Sequence, residues 1–212
     1  MKKNEIFITS ALRTAVGSLG KSLKNSSAES LGSAVISESI KKNKISGNDV
    51  DEVIMGQVLT GGAGQNPARQ AAINSGIPKE KPAFIVNQVC GSGLRSIISG
   101  FQSIKAGDSG IVLAGGQESM SLAPHAIHLR DGKKLGDVEM TDTMIKDGLW
   151  DAFHGYHMGV TAENVATKFQ VTRDDQDKFA LKSQQKALAA QKENKFREEI
   201  VNYKIKSKKA EI

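Results

Sequence analysis

Only one side chain type occurs a single time in this 212-residue sequence and is also a strong nucleophile: the cysteine at position 90. Cys90 stands in Asn87-Gln88-Val89-Cys90-Gly91-Ser92-Gly93-Leu94-Arg95. An apolar run from Ala83 to Val86 leads in like a buried strand, and Leu94, Ile97, Ile98, Phe101 and Ile104 lead out at helical spacing on one face. The spacing therefore predicts a sulfur at the handover from strand to helix. Unpaired backbone N–H groups and the positive end of the helix dipole meet there, and both favour a thiolate over a thiol. Gly91 and Gly93 keep the first turn bare, so an acyl group can approach the sulfur and the backbone donors. The competing reading is a small buried hydrophobe with idle chemistry. Packing, however, has no need of two glycines beside the cysteine. The dipole contributes about 0.3–1 kcal/mol, and a full pKa unit takes about 1.4 kcal/mol, so a base must come from elsewhere.

The other chemistry-bearing residues read more simply. His125, His128 and His154 are expected in surface or structural roles. No His-Asn or His-Asp pattern is aligned with Cys90 as a cysteine hydrolase would need. Glu118, in Gln117-Glu118-Ser119-Met120, is expected to be a buried glutamate tying a strand end to a loop. Gly61-Gly62-Ala63-Gly64 lacks the Lys-Ser/Thr ending of a phosphate loop. No Cys/His cluster has zinc spacing, so no metal is expected.

Stepping along the chain, the elements that would carry these residues alternate strand and helix as far as about Ser121. Glu5 to Ser10 is predicted as a strand. Ser26-Ser27-Ala28-Glu29 has the form of a capping box, opening a helix with Leu31, Val35, Ile36 and Ile40 inward. Gly47-Asn48-Asp49 ends it, and Glu52 to Leu59 is a second strand. Asn66, Pro67 and Gly76 bracket a short helix. The Cys90 strand and helix follow, with Gly107-Asp108 as the stop, and Ile111 to Ala114 is another buried strand. That order implies an α/β fold with a mostly parallel sheet covered by helices on both faces. After Pro124 a long polar excursion replaces it, of the length that loops with a function or an interface have. Val160 to Phe169 and Thr172 to Asn194 are predicted helices, the second opened by Thr172-Arg173-Asp174-Asp175 and carrying a small-residue face at Phe179, Ser183, Ala187 and Ala190. Glu199 to Lys206 alternates as a strand would. The expected division is an α/β core over 1–121, an inserted loop and helical domain over 122–195, and a return strand with basic tail over 196–212.

Composition narrows the class. Apolar residues make up 39% of the chain, enough for a core, and 21 glycines suit tight α/β turns. No stretch approaches the ~20 apolar residues of a membrane helix, and Ile6-Phe7-Ile8 is too short for a signal-peptide core. A single cysteine excludes an internal disulfide, and the expectation is a soluble cytoplasmic protein. The net charge of +6 sits mostly at the end, where Lys182 to Ile212 hold nine basic and four acidic residues. Those basic residues have no interleaved aromatics and no binding motif, so they read as a solvated helix face and tail, with no nucleic-acid partner.

The nine-residue segment around Cys90 resembles the nucleophile segment of thiolases, the acetyl-CoA acetyltransferase branch in particular. Gly64-Gln65-Asn66-Pro67-Ala68-Arg69-Gln70, Ala114-Gly115-Gly116-Gln117-Glu118-Ser119-Met120-Ser121, Asp147-Gly148-Leu149-Trp150-Asp151-Ala152-Phe153 and Tyr156-His157-Met158-Gly159-Val160-Thr161-Ala162-Glu163-Asn164-Val165-Ala166 are similar in kind and order. The resemblance implies a thiolase-like half, αβα-layered, carrying an inserted loop domain. It implies Claisen condensation of two acetyl-CoA, or thiolytic cleavage of acetoacetyl-CoA, through an acyl group on Cys90. It implies that Leu149, His157 and Met158 line the path of the CoA arm, and that CoA enters as a substrate thioester with no further cofactor. A homodimer or homotetramer is the implied assembly. The family's bases lie in Gly-His-Pro and Cys-x-Gly-Gly-Gly segments, and an asparagine in Asn-Glu-Ala-Phe holds a water; none of the three segments occurs in these residues. The expectation is thus an N-terminal half that does not turn over alone. The alternative left open is a non-catalytic truncated domain serving as a folded or oligomerising module.

Overall fold

In the computed structural model, which describes residues 5–205, the central sheet has three parallel strands: β1 (Glu52–Gly56), β2 (Ala83–Val86) and β3 (Val112–Gly116). β1 lies in the middle, with Val53 opposite both Ala83 and Leu113, and Gly56 opposite both Val86 and Gly116. Parallel neighbours need crossovers, and helices supply them. α2 (Pro67–Asn74) joins β1 to β2, and α3 (Ser92–Ala106) joins β2 to β3. α1 (Ala28–Asn43) precedes β1 and packs on α2.

Alternation along β1 sorts the layers. Val53 and Met55 join Ile36 of α1, Ala68, Ala71 and Ala72 of α2, and Val50 and Ile77 in the main core. Gly56 points the other way, against the start of α3. The αβα layering expected from the sequence is therefore present. A small antiparallel hairpin, β4 (His125–Ala126) with β5 (Thr141–Asp142), lies inside the excursion after Pro124. A π-helical turn (Met144–Leu149), α4 (Met158–Phe169) and α5 (Arg173–Lys192) follow. No residue of α4 or α5 is buried, Phe179 on the small-residue face included.

Most predicted helix ends hold. Asn66 accepts the Arg69 N–H as N-cap of α2, Gly107 takes φ +87 to end α3, and Thr172 and Asp175 form the reciprocal capping box of α5. The capping box at Ser26-Ser27-Ala28-Glu29 does not form. Ser27 is the N-cap but its side chain makes no cap bond, and the Ser27 carbonyl accepts the Ser30 hydroxyl at 2.9 Å instead.

Two predicted strands are corrected. Glu5 to Ser10 forms no strand, with Phe7 and Ile8 exposed. A cavity of about 760 Å³ separates that segment from the outer edge of β3, and Leu31, Val35, Ile97 and Phe101 help to line it. Strands pair only when about 4.8 Å apart, so an apolar run without an edge in reach stays coil. Glu199 to Lys206 likewise forms no strand across its described residues, and Lys206 with the rest of the basic tail lies outside them. The two segments meet in a single parallel bridge, Arg13 with Ile200, where the Arg13 N–H donates to Glu199 O at 2.8 Å and the Val201 N–H to Arg13 O at 2.9 Å. The Arg13 and Glu199 side chains close an ion pair beside it at 2.8 Å.

Candidate functional site

Cys90 lies where the spacing placed it. β2 ends at Val86, Gly91 is the N-cap of α3, and the thiol between them is exposed. Cys90 is therefore not a buried packing residue. The four residues before α3 are held by their own polar groups. The Val89 N–H donates to Asn87 Oδ1 at 2.9 Å, the Gly91 N–H to Gln88 O at 3.0 Å, and the Ser92 N–H to Val89 O at 3.1 Å. Among the described residues the Cys90 N–H meets no acceptor, so it remains as a donor beside the sulfur.

The helix behind Cys90 sits unusually close to the sheet. Ser92, Ser96 and Gly100, four residues apart, form its buried seam. A Cβ on Gly56 would lie 2.3 Å from the Ser92 carbonyl carbon and 2.5 Å from Gly93 N. A Cβ on Gly100 would lie 3.0 Å from Val112 Cγ1. The Ser96 hydroxyl, fully buried, lies 2.7 Å from Gly93 O and 2.6 Å from Gly115 O, linking α3 to β3. The apolar residues expected on one face do share a face, but it turns away from the sheet, and Leu94 is 66% exposed. The sequence reading missed this seam of small residues. Its signal was there in the i, i+4, i+8 spacing of Ser92, Ser96 and Gly100.

Glu118 takes the structural role expected for it, half-buried rather than fully buried. Its carboxylate accepts the Val58 N–H at 2.8 Å and the Leu59 N–H at 3.2 Å, tying the end of β3 to the loop after β1.

Leu149, His157 and Met158 are gathered by a second device. Trp150 pairs antiparallel with His157, and the Asp151 N–H donates to Tyr156 O at 2.8 Å, so residues 150–157 fold back as a tight hairpin. The turn is organised by Asp151, whose Oδ1 accepts the Phe153 N–H at 2.8 Å and the His154 N–H at 3.0 Å, with His154 Nδ1 at 3.0 Å from Oδ2. Those two backbone donors, His154 first and Phe153 next, hold the Asp151 carboxyl below its ordinary value, with the His154 ring adding to them. The His154 ring stacks on Tyr156 at 5.6 Å between centroids. His157 is the N-cap of α4, and its Nδ1 accepts the Gly159 N–H at 3.0 Å. In the neutral ring that bond puts the proton on Nε2, leaving Nε2–H as the outward donor. Met158 is exposed, with the Thr161 hydroxyl 3.8 Å from its sulfur.

These three residues are thus brought together with one another. Among the described residues no hydrogen bond joins them to Cys90. Gly148, next to Leu149, lies against the loop after β1: a Cβ there would be 3.8 Å from Leu59 Cδ2. His125 pairs loosely with Asp142 at 3.9 Å across the β4–β5 hairpin, and it is exposed. Among the described residues no group of three or more His, Cys, Asp or Glu side chains is arranged to hold a metal ion. None of the described helices is long and apolar enough to cross a membrane.

An open parallel α/β sheet that presents one cysteine at the turn into a central helix defines a cysteine-bearing α/β domain. Comparison with known proteins makes this particular. The family model described as "Thiolase, N-terminal domain" matches residues 6–212. An acetyl-CoA acetyltransferase of Rhizobium meliloti (strain 1021) is 55% identical over 212 residues, covering 100% of this chain and 54% of that protein. The "Acetyl-CoA acetyltransferase, cytosolic" of Rattus norvegicus is 50% identical over 204 residues, covering 96% and 51%. The crystal structure of the Bacillus anthracis acetyl-CoA acetyltransferase superposes with a TM-score of 0.93 at 36% identity, over 97% of this chain and 52% of that one. The chain belongs to the thiolase family. It spans about half the length of the curated relatives it matches.

Proposed function

We propose that this chain carries the acyl-accepting half of an acetyl-CoA C-acetyltransferase, with Cys90 as the acyl carrier. The observation that carries the reading is an exposed thiol at the N-terminus of a glycine-docked helix, beside a backbone N–H without an internal acceptor. In the first step the Cys90 thiolate attacks the carbonyl of acetyl-CoA. The C–S bond to CoA breaks, CoA leaves as its thiolate, and the acetyl group rests on Cys90 as a thioester. The Cys90 N–H donates to the oxygen that becomes negative in between. In the second step a carbanion formed at the α-carbon of another acetyl-CoA attacks that thioester, giving acetoacetyl-CoA and returning the Cys90 thiolate; thiolysis is the reverse. Leu149 and Met158 offer apolar contact to the CoA arm, and His157 Nε2–H offers a donor. CoA serves as substrate thioester and no further cofactor is invoked.

The Gly-His-Pro and Cys-x-Gly-Gly-Gly segments that carry the bases in the family do not occur in these 212 residues. The expected outcome with [14C]acetyl-CoA is therefore one label per chain at Cys90, abolished in Cys90→Ala, without sustained acetoacetyl-CoA formation by residues 1–212. Steady turnover by these residues would overturn the division of labour, and failure of Cys90 to label would overturn the reading itself. The exposed face of α3, with Leu94, Ile97 and Phe101, further supports assembly as a homodimer or homotetramer. Light scattering should report at least a dimer; a clean monomer with no dye-binding surface would argue against it.

A further inference from the structure

The turn that delivers Cys90 contains a residue held against its own preference. Val89 has φ 48, in the left-handed region where a β-branched side chain crowds the backbone. Among the described residues the other non-glycine residues with positive φ are Lys44, Asn66, Gln170 and Asn194, all unbranched at Cβ. Such a conformation persists only where the surroundings over-determine it.

Here the surroundings converge on one hydroxyl. Ser92 is 4% exposed, and its Oγ accepts the Gln88 N–H at 2.8 Å and donates to Val89 O at 2.6 Å. The same side chain thus bridges the backbone on both sides of Val89. Ser92 cannot drift to relieve the strain, because Gly56 of β1 backs directly onto its backbone. If Val89 relaxed into an ordinary extended or helical conformation, the chain direction at residue 90 would change. The bonds from the Gly91 and Ser92 N–H groups to Gln88 O and Val89 O would be lost with it.

We propose that Ser92 is a positioning residue for the nucleophile: its hydroxyl holds Val89 in the strained conformation, and this aims the Cys90 sulfur outward beside its unpaired N–H. The proposal rests on Cys90 being the acyl carrier. It assigns Ser92 no contact with the substrate. Its action passes through the backbone of Val89, which makes a specific rescue the deciding readout. Glycine adopts φ near 48 without strain, so a chain with glycine at position 89 has no need of the clamp.

The experiment measures the rate constant for iodoacetamide alkylation of the folded 212-residue chain, where Cys90 is the only thiol. Urea unfolding is run in parallel on wild type, Ser92→Ala, Val89→Gly and the double variant. Ser92→Ala is expected to remain folded and to react about tenfold more slowly. The double variant is expected to recover most of that loss. A folded Ser92→Ala that reacts at the wild-type rate overturns the proposal, as does a double variant no faster than Ser92→Ala. If Ser92→Ala does not fold, a double variant that does fold supports the clamp. One that also fails shows that Ser92 serves packing alone, and the proposal falls. A wild-type Cys90 that takes no label from [14C]acetyl-CoA would instead count against Cys90 as acyl carrier, a result separable from the other outcomes.

Discussion

The two parts of the candidate site are built on opposite principles. The Cys90 turn is fixed by close packing of backbone on backbone, with Gly56 and Ser92 leaving no room between β1 and α3. The arm carrying Leu149, His157 and Met158 is fixed by local polar bonds in an exposed hairpin, and none of the residues of α4 is buried. Under the proposed function the contrast follows from the task. A nucleophile needs its sulfur held within a fraction of an ångström, which dense interiors enforce. A surface that accepts a long flexible ligand needs only a stable shape, and short-range hydrogen bonds provide that. It follows that damage to the first part should spread through the domain, and damage to the second should stay where it is made.

The largest effect is expected at Gly56. An alanine there puts Cβ 2.3 Å from the Ser92 carbonyl carbon, and backbone atoms cannot step aside as a flexible side chain would. Gly56→Ala should lose about 3 kcal/mol in urea denaturation, at the top of the ordinary range for overpacking, and Cys90 alkylation should slow with it. Gly115→Ala is the control, because a Cβ at Gly115 meets nothing within 4 Å. It should change stability by no more than about 0.5 kcal/mol. Equal stability of the two variants would break the claim that close docking of α3 holds the nucleophile turn.

The same contrast explains what could be read from the sequence. The Cys90 turn, the ends of α2 and α3, and the capping box of α5 were legible because each is local: a few residues contain both the group that needs satisfying and the group that satisfies it. Glu5 to Ser10 was misread because an apolar run says nothing about whether a partner edge is within reach, and here a cavity intervenes. The seam of α3 was missed for a related reason. Periodicity marks the apolar face, whereas the helix docks through Ser92, Ser96 and Gly100 because small residues let two backbones approach. Ser26-Ser27-Ala28-Glu29 shows the converse, a local pattern left unused when Ser30 and Tyr203, 2.8 Å apart, engage the start of the helix instead. The roles expected of Leu149, His157 and Met158 rest on family resemblance, since no periodicity or spacing marks a hairpin whose organiser is a single aspartate.

A middle-sized and strictly local effect is expected at that aspartate. Asp151→Ala removes the acceptor of the Phe153 and His154 N–H groups. Amide exchange measured by mass spectrometry should accelerate across residues 151–158 and remain unchanged in β1, β2 and β3. Acid should mimic the variant. The folded carboxyl titrates below its ordinary value because two backbone donors stabilise its charged form. The hairpin's order is therefore complete above the ordinary aspartate range and is lost as pH falls through the folded value. Acceleration that extended into the sheet would erase the distinction between the two parts.

The smallest effect sharpens the comparison most, because it places the same chemistry on the other side. Asp51 precedes β1 and accepts the Gly110 N–H at 2.8 Å and the Ile111 N–H at 3.0 Å, with Lys81 at 3.6 Å. Its carboxyl is also held below the ordinary value, by the Gly110 and Ile111 donors first and the Lys81 charge after them. Two aspartates thus share a sign, a cause and a pH window: each stabilises what it joins above the ordinary aspartate range and stops doing so as pH falls through its folded value. They differ in what they join. Asp51 ties the entry of β3 to the entry of β1, so its loss is felt by the cooperative unit; Asp151 ties a hairpin to itself. Solvent screens the partly exposed Asp51, so Asp51→Asn should cost well under 1 kcal/mol at pH 7. That small gap to wild type should nevertheless appear in the urea midpoint of the whole domain and close as pH falls through the folded value of the Asp51 carboxyl. The corresponding gap for Asp151→Asn should be absent from the midpoint at every pH and visible only in local amide exchange. If both variants shifted the global midpoint alike, the hairpin would belong to the same cooperative unit as the sheet, and the division of the site into a packed half and a hydrogen-bonded half would have to be given up.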